Sequence, residues 1–351
     1  MSSFKVALLQ HEYTSTEIER RIIEQAGGQL VDTDILPEAE RLPAAAEADA
    51  IIVRWLNVTP GIIRRLHRCR IIVRYGVGYD NVHYEAATTA GIMIGHCPHY
   101  CLDEVATHAL ALLLGCIRGI TTSHAMLAAG SWSQGPFFRV SRMAGRTLGI
   151  VGLGNIGSAL ARKLGGWGLR LLAHDPFVEP EQVASAGVTL VEFETLLREA
   201  HYISLHVPLL PETHHLISER AFALMKPGVI LVNTARGPIV DEAALLAALG
   251  DGKVAAAGLD VFEREPLPTD SPLRRHPRLL LSNHMAWYSE DAEAELHRSV
   301  AEEAIRVCTG GLPVALANPE VLHKLGRFHE WKPTWNARWR WKRAAAMKTE
   351  G

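Results

Sequence analysis

The sequence predicts an α/β protein built from two doubly wound domains, each around a parallel sheet. Short β-branched runs alternate with helical stretches down most of the chain, several runs are apolar throughout, and they outnumber what one open sheet usually holds. The first half offers Val6–Leu9, Ile51–Arg54, Ile71–Arg74 and Ile92–Ile94 as strands. The second half offers Thr147–Val151, Arg170–His174, Tyr202–His206, Val229–Asn233, Val254–Leu259 and Leu279–Ser282. Runs that are apolar on both faces belong to strands covered by helices on both sides. Helices fit between them: Glu17–Ala26 stopped by Gly27-Gly28, and Asp241–Leu249 stopped by Gly250. Val105–Ile120 contains His108 and Arg118, is too short for a membrane span, and reads as a buried helix. Ser289–Thr309 reads as one long amphipathic helix ending at Gly310-Gly311.

Composition narrows the function classes. The chain has 351 residues, 48% hydrophobic and 21% charged, enough for two sizeable cores. A net charge of -2 gives no reason to expect nucleic acid or a membrane as partner of the body. The apolar part of Met1–Leu9 is too brief for a signal peptide. Cys69, Cys97, Cys101, Cys116 and Cys308 form no CxxC pair, so a reducing, cytoplasmic setting is expected. His96-Cys97-Pro98-His99-Tyr100-Cys101 crowds metal-ligand residue types together, but adjacent ligands strain tetrahedral geometry. An interdomain loop, and no metal, is the expectation there.

The densest chemical signal starts at the strand Thr147–Val151, which runs into Gly152-Leu153-Gly154-Asn155-Ile156-Gly157 and then a helix. In such a GxGxxG, Gly152 permits the tight turn, Gly154 lets the backbone approach a pyrophosphate, and Gly157 lets helix and strand pack closely. The exposed N–H groups and dipole of the helix start then hold the phosphates. The next strand ends at His174-Asp175, where an acid accepts the ribose hydroxyls and repels a 2′-phosphate. NAD rather than NADP follows. A hydride transfer at a hydroxy-acid carbon further needs a proton donor and acceptor, a cation for the carboxylate, and a group tuning the acid–base residue. Arg236, Glu265 and His284 follow three separate strand runs, and the carboxyl ends of parallel strands converge on the ligand crevice.

Together these motifs resemble the D-isomer-specific 2-hydroxyacid dehydrogenase family over about residues 4 to 318. The carriers are Arg74-Tyr75-Gly76-Val77-Gly78-Tyr79-Asp80-Asn81, the GxGxxG segment, His206-Val207-Pro208-Leu209 through Thr213, and Asn233-Thr234-Ala235-Arg236-Gly237. Leu259-Asp260-Val261-Phe262 with Glu265-Pro266, and His284, complete the set. Thr213–Ile217 and Ala286–Glu290 look most like the branch of the C-terminal-binding-protein corepressors and their bacterial relatives.

The resemblance implies that Arg236 clamps the substrate carboxylate and carbonyl, that His284 is the acid/base, and that Glu265 holds His284 nearer its charged form. It implies that backbone N–H groups of Gly76-Val77-Gly78 contact the carboxylate. Val207, Pro208, Thr213, Thr234, Ala235 and Asp260 would line the adenosine and nicotinamide sites. It implies a flavodoxin-like substrate domain (1–103 plus 287–319), a Rossmann NAD-binding domain (104–286), a cleft between them whose closure excludes water, and a tail (320–351) outside the match. A homodimer through the cofactor domains, with Ser131–Met143 as an arm, is also implied.

Three readings stay open. Tyr75, Tyr100 and Trp287 either form an aromatic wall for an apolar side chain of the substrate or pack in a core. His96, where many relatives carry asparagine, leaves the substrate side chain undetermined. The tail sets eight lysines and arginines against three acids, a net +5, among Trp331, Trp335, Trp339 and Trp341. It either docks on the protein or meets an anionic surface. Two functions fit: reversible NAD-linked interconversion of a 2-keto acid and a D-2-hydroxy acid, or an NAD(H)-sensing, corepressor-like interaction protein with little turnover. The -2 balance and the absence of long motif-recruiting extensions favour the enzyme.

Overall fold

A computed structural model describes residues 4–132, 140–179, 183 and 187–332. The chain divides into two compact units, Met1–Tyr100 with Ser289–Gly351, and Cys101–Tyr288. The crossings expected near 103 and 287 thus fall at 100 and 288.

The first unit holds a five-stranded parallel sheet in the order β2-β1-β3-β4-β5, with β1 Lys5–Leu9, β2 Gln29–Asp32, β3 Ala50–Val53, β4 Ile71–Arg74 and β5 Met93–His96. Every pairing is parallel. β2 escapes the sequence reading for a physical reason. It is an edge strand paired on one side, so its short run begins and ends on polar residues rather than staying apolar. Helix α1 (Glu17–Gln25) and the long α2 (Glu290–Cys308) pack against each other on this sheet. Ser289 caps α2, its side chain accepting from the Ala292 N–H.

A buried polar knot joins these elements. Glu19 of α1 is fully buried, and its Oε1 accepts the Tyr75 hydroxyl at 2.5 Å and pairs with His297 Nδ1 of α2. Tyr13 stacks edgewise on Tyr75 and lies over His297. Burial, then the nearby Glu19, push the Tyr75 hydroxyl well above its ordinary pKa, so it remains a donor. Tyr75 is therefore a core residue, and its ring does not form the substrate wall. It directly follows β4, whose end lies under α2, and the unit's interior takes the ring.

For the start of the segment after residue 320, the structure takes the docked alternative. Residues 320–332 belong to the first unit rather than to a detached tail, because Val321 and Leu322 are fully buried. Arg327 donates to the Gly310 carbonyl at 2.9 Å and pairs with Glu330, and Phe328 stacks on His323. Trp331 packs on Phe328. Trp335, Trp339 and Trp341 lie outside the described residues.

The second unit holds a seven-stranded parallel sheet in the order β12-β11-β10-β9-β6-β7-β8. Its strands are β6 Thr147–Val151, β7 Arg170–His174, β8 Val188–Leu190, β9 Tyr202–Leu205, β10 Val229–Asn233, β11 Val254–Leu259 and β12 Leu279–Leu281. β8, like β2, is a short edge strand that the apolar-run pattern passes over. From β6 the chain builds outward through β7 and β8, then returns to add β9 on the other flank of β6. The order reverses between β6 and β9, and that is where a doubly wound sheet opens a crevice. The apolar stretch read as a buried helix is α3 (Leu102–Arg118), which packs on β10 and β11 and is stopped by left-handed Gly119. Among the described residues no single helix is long and apolar enough to cross a membrane.

If Tyr75 is a core residue, Tyr75→Phe should lower unfolding stability by about 1–3 kcal/mol, because it strands a buried acceptor. Urea denaturation measures this. Unchanged stability together with an altered KM for keto acids would put the ring back in a substrate pocket.

Candidate active site

At the β6–β9 reversal, the turn after Val151 is shaped by two glycines. Gly152 has φ +89, and a Cβ there would sit 2.8 Å from the His206 carbonyl carbon at the exit of β9. Gly157 lies in the first turn of α4 (Asn155–Lys163), where a Cβ would come within 2.2 Å of the Gly152 oxygen. Gly154, the N-cap of α4, offers no side chain to the helix start, and a Cβ there would meet nothing within 4 Å. Asn155 and Ile156 form the half-buried first turn, with backbone N–H groups at the positive end of the helix dipole. Leu153 turns its side chain into the core, leaving only its backbone at the turn.

Asp175 closes the far side of this cradle. Its Oδ2 accepts the Leu153 N–H at 2.9 Å and its Oδ1 the Phe177 N–H at 3.0 Å, which fixes a carboxylate just beyond β7. At the end of β10, Thr234 is buried and its Oγ1 has no hydrogen-bond partner among the described residues. An open helix start, a carboxylate beyond the second strand and an unsatisfied buried hydroxyl suit a dinucleotide. Half-buried Val207 and exposed Pro208 follow β9. Thr213 ties that loop to itself, donating to the Pro208 carbonyl at 2.6 Å and accepting from the Leu210 N–H at 2.8 Å.

The chemistry-bearing side chains gather at the ends of β10, β11 and β12. Asn233 shapes the first loop: its Oδ1 accepts from Ala235 N and its Nδ2 donates to the Arg236 carbonyl. Arg236 donates from Nη1 to the Ala235 carbonyl at 2.8 Å. Gly237 presses on the Phe262 backbone so closely that a Cβ would lie 1.8 Å from the Phe262 carbonyl carbon. This contact holds the Arg236 loop against the loop carrying Glu265. Glu265 Oε1 accepts the Phe262 N–H at 2.9 Å, and Oε2 lies 2.6 Å from His284 Nδ1. Burial raises the Glu265 carboxyl, but the hydrogen bond and charge of His284, the Phe262 N–H and the Arg236 charge outweigh it. They hold the group below the usual carboxylate range. Glu265 is thus an anion at neutral pH and accepts from an Nδ1–H, so the Nε2 of His284 is the nitrogen left to exchange a proton.

His284 has φ +55, a left-handed conformation that costs a side-chain-bearing residue roughly 1–2 kcal/mol. Asp260 holds it there. The Asp260 carbonyl accepts the His284 N–H at 2.7 Å, Oδ1 accepts the Met285 N–H at 3.0 Å, and Oδ2 accepts the Ala286 N–H at 2.9 Å. Asp260 was expected to line the cofactor site, but it is 1% exposed with both carboxylate oxygens engaged, and its visible task is to pin this turn. Its acidic type had drawn attention, yet its burial was not readable from the sequence. Trp287 is half-buried and donates from Nε1 to the His284 carbonyl at 3.1 Å. Asn233, Ser282 and His108 are framework residues that the sequence reading missed as individuals, although Asn233 and Ser282 lie inside motifs it quoted.

In the first unit, the Gly76-Val77-Gly78 turn after β4 is held from β5: Cys97 N–H donates to the Gly76 carbonyl at 2.9 Å, and His96 Nδ1 lies 2.8 Å from the Val77 carbonyl. Tyr100 is buried, its hydroxyl beside Gly76. Among the described residues no group of three or more His, Cys, Asp or Glu is placed to hold a metal ion.

Because the Gly152 oxygen fills the space a side chain would need, Gly157→Ala should weaken NADH binding ~10-fold or more, about 1.4 kcal/mol per decade. Fluorescence titration checks this, with circular dichroism showing a retained fold. Unaltered affinity would place the cofactor elsewhere.

The profile described as D-isomer specific 2-hydroxyacid dehydrogenase, NAD binding domain, matches residues 110–286. The chain is 40% identical over 277 residues to the D-3-phosphoglycerate dehydrogenase of Mycobacterium leprae, covering 78% of this chain and 52% of that one. It therefore spans about half the length of that relative. It is 38% identical over 293 residues to the glyoxylate reductase of Thermococcus litoralis, covering 82% of this chain and 88% of that one. A solved glyoxylate reductase from Paecilomyes thermophila superposes with TM-score 0.82 at 29% identity, over 90% of this chain and 99% of that one. With the GxGxxG cradle and the strand-end residues in the same unit as the matched profile, this chain belongs to the D-isomer-specific 2-hydroxyacid dehydrogenase family and carries its NAD-binding domain.

Proposed function

We propose that this chain interconverts a 2-keto acid and the D-2-hydroxy acid with NAD. The observation that carries the reading is the 2.6 Å contact between Glu265 and His284 beside the Arg236 loop. Bound NAD(H) supplies or accepts the hydride at the 2-carbon. On reduction, His284 gives its Nε2 proton to the carbonyl oxygen; on oxidation it takes that proton back. Glu265 fixes the tautomer and the ring orientation and balances the charge of the protonated ring. Arg236 binds the carboxylate through its planar fork and polarises the carbonyl. Trp287, held on the His284 carbonyl, is proposed as the wall beside the acid/base. Gly152–Gly157, Asp175, Val207, Pro208, Thr213, Thr234 and Ala235 are proposed to surround the cofactor.

We also propose a homodimer through the second unit. Its helix α5 (Ile120–Ala128) buries no residue in the chain, and Ile120, Leu127 and the nearby Trp132 are 60%, 54% and 76% exposed. Apolar groups presented together at this level are normally covered by a partner. Of the arm expected at Ser131–Met143, residues 133–139 lie outside the described residues.

Two measurements follow. A panel of 2-keto acids read at the NADH absorbance band should show robust turnover. His284→Ala should lower kcat about 10²–10⁴-fold, and Arg236→Ala should lower kcat/KM on the order of 10²-fold. Tight NADH binding with negligible turnover on every acid would instead support the cofactor-sensing reading. By sedimentation, the protein should run as a dimer that Ile120→Glu with Leu127→Glu converts to monomer. A monomeric parent protein would remove the dimer proposal.

A further inference from the structure

One chain of polar groups in the second unit plays no part in the scheme above. His108, on α3, places Nε2 2.8 Å from Ser282 Oγ and 3.6 Å from Asp260 Oδ1. Ser282, just after β12, sits 2.6 Å from the same Asp260 oxygen. The proton directions follow from what each group can do. Asp260 already receives the N–H groups of Met285 and Ala286 and acts as acceptor throughout. The single O–H of Ser282 must therefore point at Asp260, and its oxygen is left to accept. His108 Nε2 then carries a hydrogen and donates it to Ser282.

We propose that His108 is a positioning residue for the reaction, acting on His284 through Ser282 and Asp260. The inference rests on the reading of His284 as the acid/base. His108 makes its polar contacts with Ser282 and Asp260, not with Glu265 or His284. What it does is fix the rotor of Ser282, which fixes the Asp260 carboxylate, whose two oxygens and carbonyl hold residues 284–286. Because these bonds hold residues 284–286 against Asp260, with His284 in a left-handed conformation, a slack clamp lets the ring drift from its productive position. Helix α3 also packs on β10 and β11, the strands that deliver Arg236 and Asp260. The helix that supports the sheet thus also reaches the turn that carries the proton.

The test separates a positioning role from simple packing. His108→Leu keeps bulk and removes the donor; His108→Gln restores an N–H near the Nε2 position. With NADH and the best keto acid from the panel, His108→Leu should lower kcat ~10- to 100-fold, the scale of a small misplacement of a reacting group. KM for the keto acid and Kd for NADH should stay within about twofold, since no binding contact is removed. His108→Gln should recover most of kcat. Ser282→Ala should repeat the loss and Ser282→Thr should reverse it, which keeps the test decisive if His108→Leu fails to fold. A kcat unchanged in His108→Leu and Ser282→Ala, or a His108→Gln enzyme as slow as His108→Leu, overturns the proposal while leaving His284 as acid/base. Full activity in His284→Ala overturns both.

Discussion

Asp260 is where the second sheet stops being scaffold and becomes site, and the arrangement around it depends on one buried carboxylate. Its Oδ1, Oδ2 and carbonyl together receive three successive backbone N–H groups, from His284 to Ala286. An isolated buried charge is costly, but one that meets several donors is held firmly and in turn holds them. The left-handed conformation of His284 would relax without such an acceptor. With it, the ring is carried to Glu265, whose other oxygen is tied back to Phe262. Phe262 in turn is braced by Gly237, so the loops after β10, β11 and β12 form one mutually supported cluster.

The cofactor cradle is built on a different principle, close approach rather than charge. At Gly152 and Gly157 the absence of a side chain lets three pieces of backbone pass within contact distance: the turn after β6, the exit of β9 and the first turn of α4. That proximity aims the helix start at the crevice where strand order reverses. Asp175 braces the Leu153 N–H, and under the proposed function its negative charge would also repel a 2′-phosphate. Recognition of NAD over NADP in this scheme is a matter of one carboxylate whose position the turn itself secures.

The first unit stores its polar chemistry in its interior. Glu19, Tyr75 and His297 link α1, the end of β4 and α2 through hydrogen bonds shielded from water, and Tyr13 seals the cluster. The Tyr75 hydroxyl is spent on Glu19 in this interior network, which leaves the ring no part in holding a ligand. The adjacent Gly76-Val77-Gly78 turn is anchored by its carbonyls to Cys97 and His96. His96, where many relatives of the resembled family carry asparagine, performs a local task there, holding a turn.

Periodicity alone was enough to read both sheets, because strands buried on two faces must be apolar along their length. It passed over β2 and β8, two edge strands whose short runs carry polar residues, whereas the edge strands β5 and β12 kept enough apolar residues to be read. The glycine spacing, the acid beyond β7 and the three strand-end side chains were likewise legible, as local chemistry demands those residue types at those offsets. What remained hidden were roles decided by which distant groups meet. Asp260 looked like a cofactor contact and is a buried clamp. Tyr75, which the sequence left open between pocket wall and core, is core. Residues 320–332, part of a basic tail whose partner the sequence left open, are docked by Val321 and Leu322. His108, in an apolar helix, gave no sign of reaching Ser282 across 174 positions of chain. A sequence records each residue's capacity to bond or to bury, whereas only the packed fold decides which partner is within 3 Å and whether water can compete for it.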